Sequence, residues 1–140
     1  MEELVNLDIP AQAEYVVLGR LALAGLLRRR RFSDDAVADL KLAITEACSN
    51  SVRHAYDHDG GQVHLSFMLQ DDRVVIRIRD EGAGFHEDDV DCPECRAIPE
   101  IKLGEGGMGI SIIRAVVDEF SLEKPSEGGT VIVLTKRCDA

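Results

Sequence analysis

The sequence predicts an α/β fold, a two-layer sandwich in which helices cover a mixed, mainly antiparallel sheet. Short segments that alternate apolar and polar residues, as strands do, are interspersed with longer segments of helical periodicity. Their order is strand, two helices, two strands, a long irregular segment, a helix and two strands. The 140 residues, 45% of them hydrophobic, suffice for a single domain over 1–140.

The composition argues against several classes of partner. A formal net charge of -10 does not suit a groove that neutralises nucleic-acid phosphates. The longest apolar stretch, 16–27, is interrupted by Arg20 and is shorter than the roughly 20 residues of a membrane span. Of the four cysteines, only Cys92 and Cys95 are close together, which does not indicate a disulfide framework. We therefore expect a cytoplasmic protein that binds neither nucleic acid nor membrane.

The chain begins with a predicted strand and a predicted helix. Residues 4–9 alternate in polarity and stop at Pro10, which indicates a short edge strand. A first helix is predicted over 11–31. Its last turn holds four consecutive arginines, a charge that suits a helix C-terminus. Five apolar residues recur at helical spacing: Val16, Val17, Leu21, Ala24 and Leu27.

A second helix and a hairpin follow. Ser33 is a good N-cap for a helix that extends to about residue 56. The alternating segments 62–70 and 73–80 predict two strands joined at Asp71 and Asp72. We expect this hairpin to bury one face.

The C-terminal half contains a long irregular segment. Residues 81–107 lack periodicity and are rich in Gly, Asp and Pro, which is typical of a functional loop. A helix is predicted over 108–118 and strands over 120–123 and 130–136.

The second helix carries a polar stripe that includes Glu46, Asn50, Arg53 and Asp57. Asn50 could give an oxygen ligand to magnesium, while Glu46 could accept a proton from an attacking hydroxyl. The alternative interpretation is an ordinary solvated helix face.

Two glycine clusters follow the hairpin. The segment 80–85, Asp-Glu-Gly-Ala-Gly-Phe, comes directly after a strand, where glycines let the backbone approach a ligand closely and Asp80 could accept a hydrogen bond from an amino group. The alternative is a glycine-rich strand exit. The cluster 104–109 leads into a helix, whose free amides can hold phosphate oxygens. Neither cluster has the Walker pattern or a dinucleotide fingerprint.

Taken together, these segments resemble the GHKL (Bergerat) ATPase superfamily. The N box corresponds to 46–56, Glu-Ala-Cys-Ser-Asn-Ser-Val-Arg-His-Ala-Tyr; the glycine boxes correspond to 80–85 and 107–109. Within this superfamily the chain is most similar to the anti-sigma-factor serine/threonine kinases. The short chain, the strand and helix before the N box, and its His-Ala-Tyr ending agree with that branch.

The resemblance implies a role for each matching residue. Glu46 would be the catalytic base, Asn50 would bind magnesium, Asp80 would read the adenine amino group, and Thr130 would support that contact. Residues 86–106 would form an ATP lid. The remaining nucleotide-binding positions would be Arg53, His54, Gly82, Gly84, Phe85, Gly106, Gly107, Met108 and Gly109.

The resemblance also implies partners. The protein would sequester a sigma factor and phosphorylate an anti-anti-sigma protein of the sulfate-transporter-like (STAS) type on serine or threonine. It would form a homodimer, and Arg20 on the first helix would contact a partner. An exposed, solubilising arginine is the alternative interpretation of Arg20.

Several alternatives stay open at this point. Glu105 stands where relatives can carry a basic residue, so γ-phosphate stabilisation would fall to Arg53, Lys102 or Arg114, or the protein would bind partners without transferring phosphate. A detached histidine-kinase catalytic domain is a third hypothesis. A Cys-x-x-Cys pair, Cys92 and Cys95 with His86, could also bind zinc or act in redox chemistry.

Overall fold

The computed structural model describes residues 2–55, 61–80, 108–126 and 128–138. The elements lie in the predicted order, and a short 3-10 turn, Ala13–Tyr15, precedes the first helix. The strands and helices are β1 (Glu3–Pro10), α1 (Val16–Leu27), α2 (Asp34–Ala55), β2 (Gln62–Leu69), β3 (Arg73–Asp80), α3 (Met108–Val116), β4 (Glu119–Glu123) and β5 (Thr130–Arg137).

The five described strands form one sheet in the order β1-β2-β3-β5-β4. Every neighbouring pair among them is antiparallel. The hairpin register pairs Val63 with Asp80, and Asp80 in turn pairs with Thr130 on β5. The predicted α/β fold is therefore confirmed.

One face of the sheet carries the core. Along β2 the side chains of Val63, Leu65, Phe67 and Leu69 are buried, and the intervening residues are not. This alternation follows from the two-residue period of a strand and confirms the predicted one-sided hairpin. The helices cover this face, with α2 in contact with α1, α3 and β3.

The first helix is shorter than predicted. The prediction of a helix over 11–31 was wrong at both ends, because the chain makes a 3-10 turn at its start and α1 ends at Leu27. The arginine run follows the helix instead of forming its last turn. Tertiary contacts explain this end, since Arg30 donates hydrogen bonds to the Gln70 carbonyl (3.2 Å) and to the Glu3 carboxylate (3.3 Å). The Ser33 cap is confirmed, because its Oγ accepts a hydrogen bond from the Ala36 amide (3.0 Å).

Only part of the apolar surface of α1 is buried. Val17 and Leu21 are 40% and 63% exposed. The buried positions of this helix are Val16, Gly19, Leu23 and Leu27. The buried face passes through Gly19, where the absence of a side chain lets α1 approach Leu65 on β2 and Ile44 and Cys48 on α2.

The C-terminal boundaries differ by a few residues from the prediction. The helix predicted over 108–118 ends at Val116, whose carbonyl accepts a hydrogen bond from Lys136 Nζ at 2.8 Å. This side chain satisfies one of the free carbonyls of the helix end. No helix in the part of the chain that the structure describes combines the length and the apolar character that a membrane crossing needs.

Gly19→Val is expected to lower the free energy of unfolding by about 1–3 kcal/mol, the usual range for overpacking. A Cβ at Gly19 would lie 3.2 Å from Leu65 Cδ1, and valine adds two further carbons. Gly25→Val is the matched control on the same helix, because nothing lies within 4 Å of a Cβ placed there. Urea unfolding of both variants tests this, and equal stabilities would contradict the close approach at Gly19.

Cys48 predicts a pH dependence of stability. Burial raises the pKa of its thiol from 9.0 to about 12. In the unfolded chain the thiol loses its proton above pH 9, whereas the folded protein retains it. The contribution of the Cys48 thiol to the free energy of unfolding is therefore complete below pH 9 and is lost between pH 9 and 12. The slope approaches about 1 kcal/mol per pH unit.

Comparison with Cys48→Ala isolates this contribution, because all other groups titrate in both proteins. Urea unfolding at pH 8, 9.5 and 10.5 should show the wild type losing its stability advantage over the variant as pH rises. A difference that stays constant across this range would refute the prediction.

Candidate functional site

At Asn50 the polar stripe of α2 is not an ordinary solvated helix face. Asn50 is only 6% exposed, and Glu46, one turn before it, is half-buried. Burying a side-chain amide costs free energy unless its polar atoms are hydrogen-bonded, so a buried asparagine is unusual on the surface face of a helix. The solvated-face interpretation is therefore wrong for Asn50.

Arg53 lies one turn after Asn50, with its side chain exposed to solvent. Its Nη2 donates a hydrogen bond to Asn50 Oδ1 at 3.5 Å. The guanidinium therefore lies beside the oxygen that the sequence analysis assigns to magnesium. His54 is within the helix, but its side chain lies outside the described residues.

A second buried polar pair lies where β3 and β5 meet. Asp80 is 1% exposed and Thr130 is 2% exposed, and their Cα atoms are partners in the strand register. Thr130 Oγ1 has no hydrogen-bond partner among the residues that the structure describes. A buried carboxylate beside a buried hydroxyl suits a ligand that brings hydrogen-bond donors.

Asn50 on α2 and the pair formed by Asp80 and Thr130 lie at the same end of the sheet. Asp80 pairs with Val63 near the start of β2, and this start follows closely on the end of α2 at Ala55. Asn50 lies five residues before that helix end, about 7.5 Å along the helix axis. Leu65 of β2 and Cys48 of α2 both lie within 4 Å of a Cβ placed at Gly19, so the stretch of α2 that holds Asn50 lies near the part of the sheet that holds Asp80.

The third helix is oriented with its N-terminus toward this end. Its C-terminal side is held at the other end, because the Asp118 amide donates a hydrogen bond to the Thr135 carbonyl at 2.9 Å. Thr135 lies five residues after Thr130 on β5, so α3 runs from the Asp80 end to the Thr135 end. The first helical residues, Met108 and Gly109, thus present the free amides of a helix start to the site.

Arg114 is not placed for the phosphate contact that the sequence analysis considered. It is in the last turn of α3, and its guanidinium carbon lies 5.1 Å from the ring centroid of Phe120 on β4. This cation-π contact with Phe120 explains the position of the Arg114 side chain. The proposed γ-phosphate role of Arg114 is therefore not supported by its position.

Other predicted residues are outside the described parts of the chain. They comprise the glycine-box residues Gly82, Gly84, Phe85, Gly106 and Gly107, the lid 86–106, and the alternatives His86, Cys92, Cys95, Lys102 and Glu105. Arg20 is described and is exposed on α1. Its position is open to a partner protein.

Two apolar neighbours of Asp80 were not predicted from the sequence. Val63 faces Asp80 across the hairpin, and Ile9 pairs with Val63 from β1; they are 0% and 1% exposed. They form part of the apolar wall around the buried carboxylate. The signal that could have identified them is the hairpin register, which places residues at the start of β2 opposite the end of β3.

Comparisons with known proteins identify the family of this chain. Residues 9–136 match the family described as Histidine kinase-like ATPase domain. A Bacillus cereus (strain AH187) protein named serine-protein kinase RsbW is 37% identical over 134 residues, which cover 94% of this chain and 83% of the relative. A Listeria monocytogenes serotype 4a protein of the same name is 34% identical over 144 residues, with 97% and 88% covered.

A solved structure supports the fold. The RsbU and RsbW domains of a Mycobacterium tuberculosis protein match with a TM-score of 0.69 at 22% sequence identity. The match covers 96% of this chain and 32% of that chain. On the extent of the sequence matches, this chain belongs to the family of histidine kinase-like ATPase domains and, within it, to the RsbW group of serine-protein kinases.

Proposed function

We propose that this protein is an ATP-dependent anti-sigma factor of the cytoplasm that sequesters a sigma factor and phosphorylates an anti-anti-sigma protein on serine or threonine. The observation that carries the proposal is the burial of Asn50 one helical turn from Glu46, at the end of the sheet that holds buried Asp80. The name that the relatives carry, serine-protein kinase, supports the choice of acceptor.

Asp80 and Thr130 fit an adenine base. The carboxylate of Asp80 can accept a hydrogen bond from the exocyclic amino group, and the buried Thr130 Oγ1 lacks a hydrogen-bond partner among the described residues, so it is available for a ring nitrogen or an ordered water. Both side chains are shielded from solvent, which strengthens such hydrogen bonds. Val63 and Ile9 add apolar surface beside them.

Asn50 and Glu46 fit the phosphate end of the nucleotide. Asn50 Oδ1 would be a magnesium ligand, a role that suits a carboxamide oxygen. Bound magnesium would neutralise charge on the phosphates during transfer. Glu46, one turn away, would accept the proton of the attacking hydroxyl, and its half-buried position leaves it reachable by an acceptor residue.

Arg53 and the start of α3 would complete the phosphate site. The guanidinium of Arg53 is exposed beside Asn50 and can turn to a phosphate oxygen. The amides at Met108 and Gly109 open a helix whose N-terminus favours negative charge. With Arg114 engaged by Phe120, Arg53 is the described arginine that best suits this role.

Partner binding is proposed for the exposed side of α1. Arg20 is exposed there and would contact a protein partner. We also propose a homodimer, because Val17, Leu18 and Leu21 are 40%, 40% and 63% exposed on the same helix, and a second copy would cover this apolar surface.

A binding module without phosphate transfer is the second candidate. Glu105 supports it, because a carboxylate near the phosphates would oppose γ-phosphate stabilisation. The position of Glu46, one helical turn from Asn50, favours the kinase hypothesis, because a general base would then lie close to the proposed magnesium ligand. Acid stability of the phosphorylated product separates the kinase from a histidine kinase, since phosphoserine survives acid and phosphohistidine does not.

Asp80→Asn is expected to weaken ATP binding about ten- to hundredfold, because one hydrogen bond to a charged acceptor contributes roughly 1.5–3 kcal/mol. Isothermal titration calorimetry with magnesium and ATP measures this. Asp72→Asn is the matched control, since this carboxylate is exposed at the far end of the same hairpin. Equal affinities for wild type and Asp80→Asn would argue against adenine recognition by Asp80.

Glu46→Gln is expected to reduce the rate of phosphate transfer by about 10²–10⁴-fold, as loss of a general base does, while ATP binding is retained. The assay follows labelled γ-phosphate from ATP to a candidate anti-anti-sigma protein and tests whether the label is acid-stable. Asp39→Asn, on α2 two turns before Glu46, is the control.

The two outcomes of this assay are distinct. Acid-stable label on serine or threonine that is lost in Glu46→Gln agrees with the proposed kinase. ATP binding with no transfer by the wild-type protein would favour the binding module instead.

A further inference from the structure

The turn between α1 and α2 carries four consecutive arginines, Arg28 to Arg31. Among the residues that the structure describes, Arg30 alone of these four holds the fold together, through its hydrogen bonds to Gln70 and Glu3. Arg28, Arg29 and Arg31 are exposed, and within the described parts of the chain they form no ion pair. The helix dipole favours positive charge at Arg28, the C-cap of α1, but the effect falls off with distance from the helix end and does not account for the whole run.

The turn is held in a defined conformation. The Arg30 amide donates to the Leu27 carbonyl and the Phe32 amide to the Arg30 carbonyl, both at 3.0 Å. Arg30 attaches the turn to the sheet, and the half-buried Phe32 packs against the core. The three free guanidinium groups therefore extend from a backbone that is already ordered, which lowers the entropic cost of binding a ligand.

This basic turn is remote from the nucleotide site. Arg30 contacts Gln70, next to Leu69 at the end of β2, whereas Asp80 pairs with Val63 at its start. Six residues of strand separate these ends, about 20 Å. Phosphate transfer and binding at the turn can therefore be tested separately.

The charges around the turn restrict its partner. Carboxylates border it: Glu3, bonded to Arg30, is 59% exposed, and Asp34 and Asp35 are exposed at the start of α2. A long polyanion such as nucleic acid would meet these carboxylates and the net charge of -10. A partner segment with a short acidic cluster between basic residues is complementary to this surface. Its carboxylates would pair with the arginines of the turn, and its basic residues would pair with the carboxylates that border the turn.

We propose that Arg28, Arg29 and Arg31 form a docking site for a partner protein, through a segment of two or three Asp or Glu residues flanked by Lys or Arg. Arginine suits this role because its planar guanidinium binds carboxylates with two parallel hydrogen bonds. The site goes beyond the proposed kinase activity and does not depend on it.

The test uses two fluorescent 12-residue peptides of identical composition. One has a Glu-Asp-Glu core flanked by lysines, and the other has a lysine core flanked by the acidic residues. Fluorescence anisotropy at low and at 0.15 M salt measures their binding to the full chain. The acidic-core peptide is expected to bind at least about fivefold more tightly, and its affinity should fall as salt rises.

The decisive variant is the triple substitution Arg28→Gln, Arg29→Gln, Arg31→Gln. It should weaken binding of the acidic-core peptide about tenfold, the combined effect of three surface ion pairs. The matched control is Arg77→Gln, Arg79→Gln, Arg137→Gln, which removes the same charge from exposed positions on β3 and β5 and should change affinity less than twofold. ATP binding and the thermal unfolding midpoint of the Arg28, Arg29, Arg31 variant should match the wild type.

Three results would overturn the proposal. The first is equal binding of the two peptides, and the second is an equal effect of the two triple variants. The third is tighter binding of a 12-nucleotide single-stranded RNA or of phosphatidylserine vesicles than of the acidic-core peptide, lost in the Arg28, Arg29, Arg31 variant.

Discussion

The packing of α2 against the sheet is the interaction on which the site depends. Leu40, Ala43, Ile44, Ala47 and Cys48 are completely buried, so the rotation of this helix about its axis is fixed by the core. Glu46 and Asn50 lie at the border of that face. A change in the rotation of α2 would move both side chains together, and the close approach of Gly19 to Ile44 and Cys48 is one of the contacts that fix this rotation.

Buried polar groups at one end of the sheet are unfavourable for stability alone. Asn50, Asp80 and Thr130 are each less than 7% exposed, and burying such groups reduces the net gain from folding unless they are hydrogen-bonded. The other buried positions of these strands hold mostly apolar residues, which are more favourable for folding stability. The concentration of these groups where α2, β3 and β5 meet is the physical argument that this end of the molecule binds a polar ligand.

The two ends of the sheet differ in the charged and polar groups that they hold. The Asp80 end combines buried polar side chains with the start of α3, while the opposite end holds the arginine turn and the tip of the hairpin. Arg30 connects this turn to the sheet and leaves its neighbours exposed. The proposed nucleotide site and the proposed docking site therefore lie at opposite ends of the sheet.

The sequence by itself determined the order of elements, the one-sided hairpin and the residues of the N box. These features follow from local patterns: a two-residue period for Phe67 and its neighbours, a cap at Ser33, and a spacing of four between Glu46 and Asn50. Tertiary structure decided where α1 ends, because the partners of Arg30 are Gln70, forty residues away, and Glu3.

Tertiary structure also decided which side of α1 is buried and whether Asn50 is exposed. A helix that is apolar on most sides does not indicate its own buried face, and here the close approach at Gly19 selects it. The polarity of Asn50 suggested a solvated position, but neighbouring elements cover it. The direction of α3, and with it the separation of Arg114 from the site, depends on contacts with β4 and β5, which no local pattern encodes.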